Sequence, residues 1–135
     1  MRALLLIALA LAWPVAAKVV VTDAVIRPAP AGAPVTAAYM TLRNTGSKPV
    51  ALTGVHCACA AAVTAHETSS EGGVMRMRPA PHVVIPAQGQ LAFKPGGLHL
   101  MVMGPKRPLK TGERTPMRLT FDGAPSPTVN FSVKP

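Results

Sequence analysis

Acidic and aromatic side chains are scarce in this sequence: five Asp and Glu stand against 14 Lys and Arg, and three Phe, one Tyr and one Trp make up the aromatics. With so few rings, and with basic residues scattered rather than clustered, the chain offers no stacking platform or basic stripe for nucleic acid. Cysteine is limited to Cys57 and Cys59, too few for a disulfide-built scaffold. No spacing links a nucleophile to a base, so no catalytic set is expected and the chain reads as a non-enzyme. Long apolar runs are confined to the start. After Met1-Arg2 comes Ala3 to Trp13, then Pro14 and the small residues Val15-Ala16-Ala17. A positive start, a short apolar middle and a small-residue end predict a secretory signal peptide over residues 1–17, too short to span a bilayer with proper flanks.

Cleavage after Ala17 would leave residues 18–135 as one domain with a real core. No later segment approaches membrane-spanning length, so the mature protein is expected to be periplasmic and not membrane-spanning. Neither cysteine directly follows the cleavage position, and a lipid anchor is not expected. Loss of Arg2 leaves 13 basic against five acidic residues, formally +8. That excess favours acidic proteins or anionic headgroups as partners and says little about fold.

What the mature chain does contain is short β-branched segments separated by Pro and Gly. Strands are predicted at residues 18–26, 36–42, 50–55, 63–67, 74–77, 83–85, 90–93, 99–103, 117–121 and 129–133. Turn chemistry fills the gaps, including Asn44 to Pro49 and a polar, glycine-containing stretch from Thr68 to Gly73. With no helical periodicity, the pattern argues an all-β Greek-key sandwich or barrel.

One segment carries chemistry. In Leu98-His99-Leu100-Met101-Val102-Met103, strand alternation puts His99, Met101 and Met103 on one face and the apolar residues on the other. Thioether sulfur is a soft, neutral donor that selects copper(I) over zinc, magnesium or calcium. The competing reading is core filling by flexible methionines. A second pair of donors comes from the predicted hairpin: symmetric pairing about Glu71 and Gly72 sets His66 opposite Met77 and Glu67 opposite Arg76, with opposed Cβ atoms ~4.5–5.5 Å apart. His66, Met77, His99 and Met101 then form a neutral set suited to copper(I), in which only the imidazoles compete with protons.

The spacing His66, ten residues, Met77, twenty-one residues, His99, one residue, Met101 resembles the signature of the PCu(A)C copper chaperones. Ala38 to Asn44, Ala65-His66-Glu67, Gly73 to Met77, Pro95 to Met101 and Pro108 to Gly112 resemble that family's blocks, so the likeness spans almost the whole mature chain. It implies a cupredoxin-like fold, copper(I) held near the surface, and transfer by ligand exchange. The implied partners are copper donor and acceptor proteins, among them assembly factors for the copper centre of a respiratory oxidase. Two alternatives use copper differently. Buffering for detoxification needs the same ligands, whereas an electron-transfer cupredoxin needs a His₂Cys set drawing on Cys57 or Cys59.

His56-Cys57-Ala58-Cys59 departs from the family pattern. If extended, the two cysteine Cα atoms would lie about 6.6–6.8 Å apart, at the edge of disulfide reach. Three readings follow: buried small apolar residues, a strained redox-active bridge, or an accessory soft-metal site with His56. Met75 and Met103 each lie two residues from a proposed ligand and on the same face; they are expected to pack around the site, and either is an accessory donor able to substitute if a primary ligand is lost. His82 is expected at an exposed turn, and Met40 and Met117 in the core.

Overall fold

The computed structural model describes residues 18–135, so the predicted leader, residues 1–17, lies outside the described residues. Ten strands follow in order: β1 (Val19–Ile26), β2 (Val35–Asn44), β3 (Val50–His56), β4 (Ala60–Glu71), β5 (Val74–Pro79), β6 (Val83–Ile85), β7 (Gln90–Phe93), β8 (Leu98–Pro105), β9 (Arg114–Asp122) and β10 (Thr128–Val133). All ten fall on predicted segments. β4 is longer than expected at both ends, and β9 begins earlier, taking Pro116 into the strand. Proline is tolerated there because β9 pairs with β3 only from Arg118 onward, so the missing N–H costs no ladder bond on that side.

Hydrogen bonding links the strands in the order β5-β4-β8-β2-β1-β10-β9-β3-β6, with β7 also on β2. A further pairing of β3 with β4, at Val55 and Val63, closes seven of them into a barrel. Closure leaves no terminal strand within that ring; the short β6 and β7 lie outside it, and β5 forms an outlying arm. β1 and β10 run parallel; the other pairings are antiparallel. Among the described residues no helix is long and apolar enough to cross a membrane.

Alternation divides each barrel strand into an inward and an outward row. Ala38, Met40 and Leu42 of β2, Leu100 and Val102 of β8, Met117 and Leu119 of β9, and Phe131 and Val133 of β10 are all buried in one core cluster. Met40 and Met117 are thus core residues, as expected. Asn44 is the polar member of this interior: its Nδ2 donates to Lys48 O at 2.7 Å and Ile85 O at 3.2 Å, and its Oδ1 accepts from Gly46 N at 2.9 Å. Three satisfied bonds offset its desolvation and clamp the turn after β2 against β6.

Since Leu100 is fully buried, Leu100→Ala is expected to destabilise the fold by ~2–5 kcal/mol. Val20→Ala on the exposed side of β1 is expected to cost about 0.5 kcal/mol or less. Denaturant unfolding of both variants checks this; equal midpoints would mean that the β8 row is not the core.

Candidate metal centre

The outward row of β8 carries two of the predicted donors, His99 and Met101, and His66 stands beside it on β4. Antiparallel pairing sets His99 opposite His66 of β4 and Met101 opposite Thr64. The two imidazoles stack across the ladder, with centroids 6.1 Å apart and planes 22° from parallel. On its other edge β8 pairs with β2, where Ala37 opposes Met101. These residues all face away from the barrel core.

The hairpin register differs from the expected one. Glu71 pairs with Val74, Thr68 with Met77 and His66 with Pro79, so Met77 is not opposite His66, and Glu67 faces Arg78 rather than Arg76. The turn sits on Gly72 and Gly73, both at positive φ (59° and 79°), as a two-residue hairpin loop matched to strand twist requires. The glycine pair was the available signal; a symmetry axis one residue earlier overlooks it. Because the error shifts the partner by two residues, Met77 keeps the face it shares with His66. It now lies diagonally from His66, at the ~7–8 Å spacing that a long thioether side chain can bridge.

Met77, His99 and Met101 line one surface depression of about 250 Å³, together with Ala37, Tyr39, Thr68, Pro95 and Gly96. Lys94 to Gly97 is the excursion that separates β7 from β8, and Gly96 adopts φ 80° within it. The loop folds over the end of β8: Gly97 O accepts Thr68 N at 3.2 Å and lies 2.9 Å from His99 Nδ1. Under this cover His99 is only 6% exposed although it points away from the barrel core. A carbonyl can only accept, so Nδ1 carries the hydrogen and Nε2 presents its lone pair. Nε2 is buried and has no hydrogen-bond partner, which leaves its lone pair free for a metal. His66 is half-buried, with Nδ1 3.4 Å from Thr64 Oγ1.

Among the described residues, no three of histidine, cysteine, aspartate and glutamate cluster as metal ligands. The side-chain donors that share the depression with His99 are the thioethers of Met77 and Met101. Met75 and Met103 share the outward face, are 65% and 43% exposed, and do not line the depression. His82 is exposed, as anticipated.

The cysteine segment is not extended. After β3 the chain turns at Cys57 to Cys59, bringing the Cα atoms to 5.0 Å and allowing a disulfide of ordinary span. This corrects the extended spacing and with it the readings of two buried thiols or a thiolate site with His56, since no free cysteine is present among the described residues. The segment adjoins the start of β4, six residues and about 20 Å from His66 along the strand. A His₂Cys set is not assembled at the histidine face.

In its neutral form His99 is expected to hold its proton on Nδ1, hydrogen-bonded to Gly97. Long-range ¹H–¹⁵N spectra read this directly; an Nε2–H tautomer would show that the lone pair does not face the depression.

A family model described as "Putative lipoprotein LpqE-like" matches residues 19–133. The chain is 38% identical over 99 residues to the protein Lxx21020 of Leifsonia xyli subsp. xyli (strain CTCB07), covering 72% of this chain and 60% of that relative's length. Among solved structures, CuI-DR1885 from Deinococcus radiodurans is 35% identical with a TM-score of 0.67, covering 83% of this chain and 75% of that one. A copper-bound PCuAC domain from PmoF2 has a TM-score of 0.74 at 20% identity, covering 91% of this chain and 98% of that domain. The shared architecture bears out the expected cupredoxin-like β fold. Since the family match runs through all ten described strands, and its solved neighbours are PCuAC domains, this chain belongs to the LpqE-like, PCu(A)C family.

Proposed function

We propose that the protein is an exported copper(I) carrier that holds one ion between His66, Met77, His99 and Met101 and gives it up by ligand exchange. The observation that carries this reading is the buried, unpartnered Nε2 of His99 beside two thioethers. A lone pair withdrawn from water is costly unless something binds it, and soft neutral neighbours select a soft monovalent ion. Copper-bound relatives of the same fold support the same assignment.

Transfer follows from the unequal hold of the four donors. Met77 stands on the outlying arm and is 54% exposed, whereas His99 is buried and oriented by Gly97. An incoming thiolate displaces Met77 first, Met101 and His66 next, and His99 last. No bond other than those to copper is made or broken, so the protein acts by binding and transfer rather than catalysis. The recipient we infer is the copper centre of a respiratory oxidase, reached in the periplasm.

Competitive copper(I) titration tests the site. Wild type should bind one equivalent, and Met77→Ala and His99→Ala should each lose about tenfold or more in affinity, ~1.4 kcal/mol or above. Equal affinity in all three would remove these residues from the site. An intense blue copper(II) complex would instead favour electron transfer.

A further inference from the structure

The Cys57–Cys59 disulfide belongs to none of this chemistry, yet its surroundings are those of an exchange site. We propose that it is a thiol–disulfide exchange centre, attacked at Cys59 by a thiol carried on an acidic peptide segment. The inference does not rest on the copper reading.

The two sulfurs are unequally placed. Cys59 lines a depression of about 280 Å³ with Ala58, Lys106, Arg107, Thr115 and Pro116, whereas Cys57 is not part of its wall. Both residues are buried, and since only Cys59 borders the depression, approach is offered from its side of the bond. Backbone pairing keeps this wall in place: Lys106 N donates to Cys59 O at 2.8 Å. The depression is electropositive. Lys106 makes none of the ion pairs among the described residues, while Arg107 is shared with Glu113 at 2.8 Å. Positive charge raises the thiolate fraction of an incoming thiol and attracts one with acidic neighbours.

The leaving sulfur is also provided for. Cys59 N lies 3.2 Å from Cys57 Sγ and donates toward it, and Thr115 Oγ1 lies 3.8 Å away. Both can stabilise a Cys57 thiolate, and a better-stabilised leaving group departs faster. Pro116 O, at 3.6 Å, accepts the S–H once that thiolate is protonated.

The step balances as follows. An incoming thiolate attacks Cys59 Sγ, its sulfur bonding to Cys59 as the Cys59–Cys57 bond breaks and the electron pair leaves on Cys57. A second thiol of the partner then attacks the partner's own sulfur in the mixed disulfide and releases Cys59. The partner dithiol is oxidised to a disulfide, and two electrons and two protons reduce the Cys57–Cys59 pair. The reverse sequence, starting from the reduced Cys57–Cys59 pair, reduces a partner disulfide.

The test uses the oxidised mature protein in native buffer with reduced glutathione, an acidic tripeptide thiol, or with uncharged 2-mercaptoethanol. Acid quenching, alkylation and mass mapping then follow the products. Expected are two alkylated cysteines per chain with the barrel's circular dichroism unchanged, and a trapped mixed disulfide on Cys59. Lys106→Glu combined with Arg107→Glu should slow the glutathione reaction about tenfold and alter the 2-mercaptoethanol reaction by less than about twofold. Reduction only after unfolding, a mixed disulfide on Cys57, or equal slowing with both thiols would each overturn the proposal. The wild-type arm stands alone should the double variant fail to fold, and no arm contains copper.

Discussion

The ladder between β4 and β8 is the constraint on which the candidate site depends. Its register sets His66 against His99 and Met101 against Thr64, bringing donors thirty-three positions apart in sequence to neighbouring positions on one face. Moving β8 by one residue relative to its neighbours would turn His99 and Met101 toward the barrel interior and Leu100 and Val102 toward water. Burial of those two apolar side chains therefore protects the metal-facing register, although neither touches the site's chemistry. Each such residue contributes roughly 1.5–3 kcal/mol when fully buried, more than the exposed ion pairs of the hairpin supply.

Barrel closure explains how one sheet can hold a soft-ligand site without losing core. Every inward row packs in the interior, so the outward row of β8 is free to carry polar and polarisable side chains. His99 is nevertheless shielded, because the Lys94 to Gly97 excursion, Thr68 of β4 and Met77 of β5 border that part of the surface. The shield comes from local backbone, with Gly97 O holding both Thr68 N and His99 Nδ1. Loop, arm and imidazole are thus fixed by a single carbonyl with two lone pairs.

Strands were legible in the sequence because β-branched runs ended at Pro, Gly and Asn, each of which breaks a ladder for its own steric reason. Sharing of a face was legible too, since alternation depends only on parity. Partner choice was not: Met77 opposite Thr68 follows from a turn seated on Gly72-Gly73, and residues that need positive φ locate a turn better than symmetry does. The fold at Cys57 to Cys59 had no such mark. Neither proline nor glycine interrupts His56 to Ala60, and the turn there arises where β3 must pass to β4 to close the barrel. The role of Gly97 O was equally hidden, because it is created by a backbone path and not by a residue type.

Charge on the β4–β5 arm is sorted by the same alternation. Glu67 and Glu71 fall on the face opposite to Thr68 and Met77, and Glu71 lies 3.7 Å from Arg76 and 3.4 Å from Arg78. Both carboxylates are therefore turned away from the thioethers, and Glu71 is engaged by two guanidinium groups. An ion among His66, Met77, His99 and Met101 would meet only neutral donors, and residues 18–135 carry 13 Lys and Arg against five Asp and Glu, formally +8. Each added unit of charge on that ion is uncompensated locally and repelled at longer range, so a divalent ion is penalised more than a monovalent one. Under the proposed function, selectivity for the lower charge would come from the placement of carboxylates as much as from sulfur, and a hairpin slipped by one residue would undo both together.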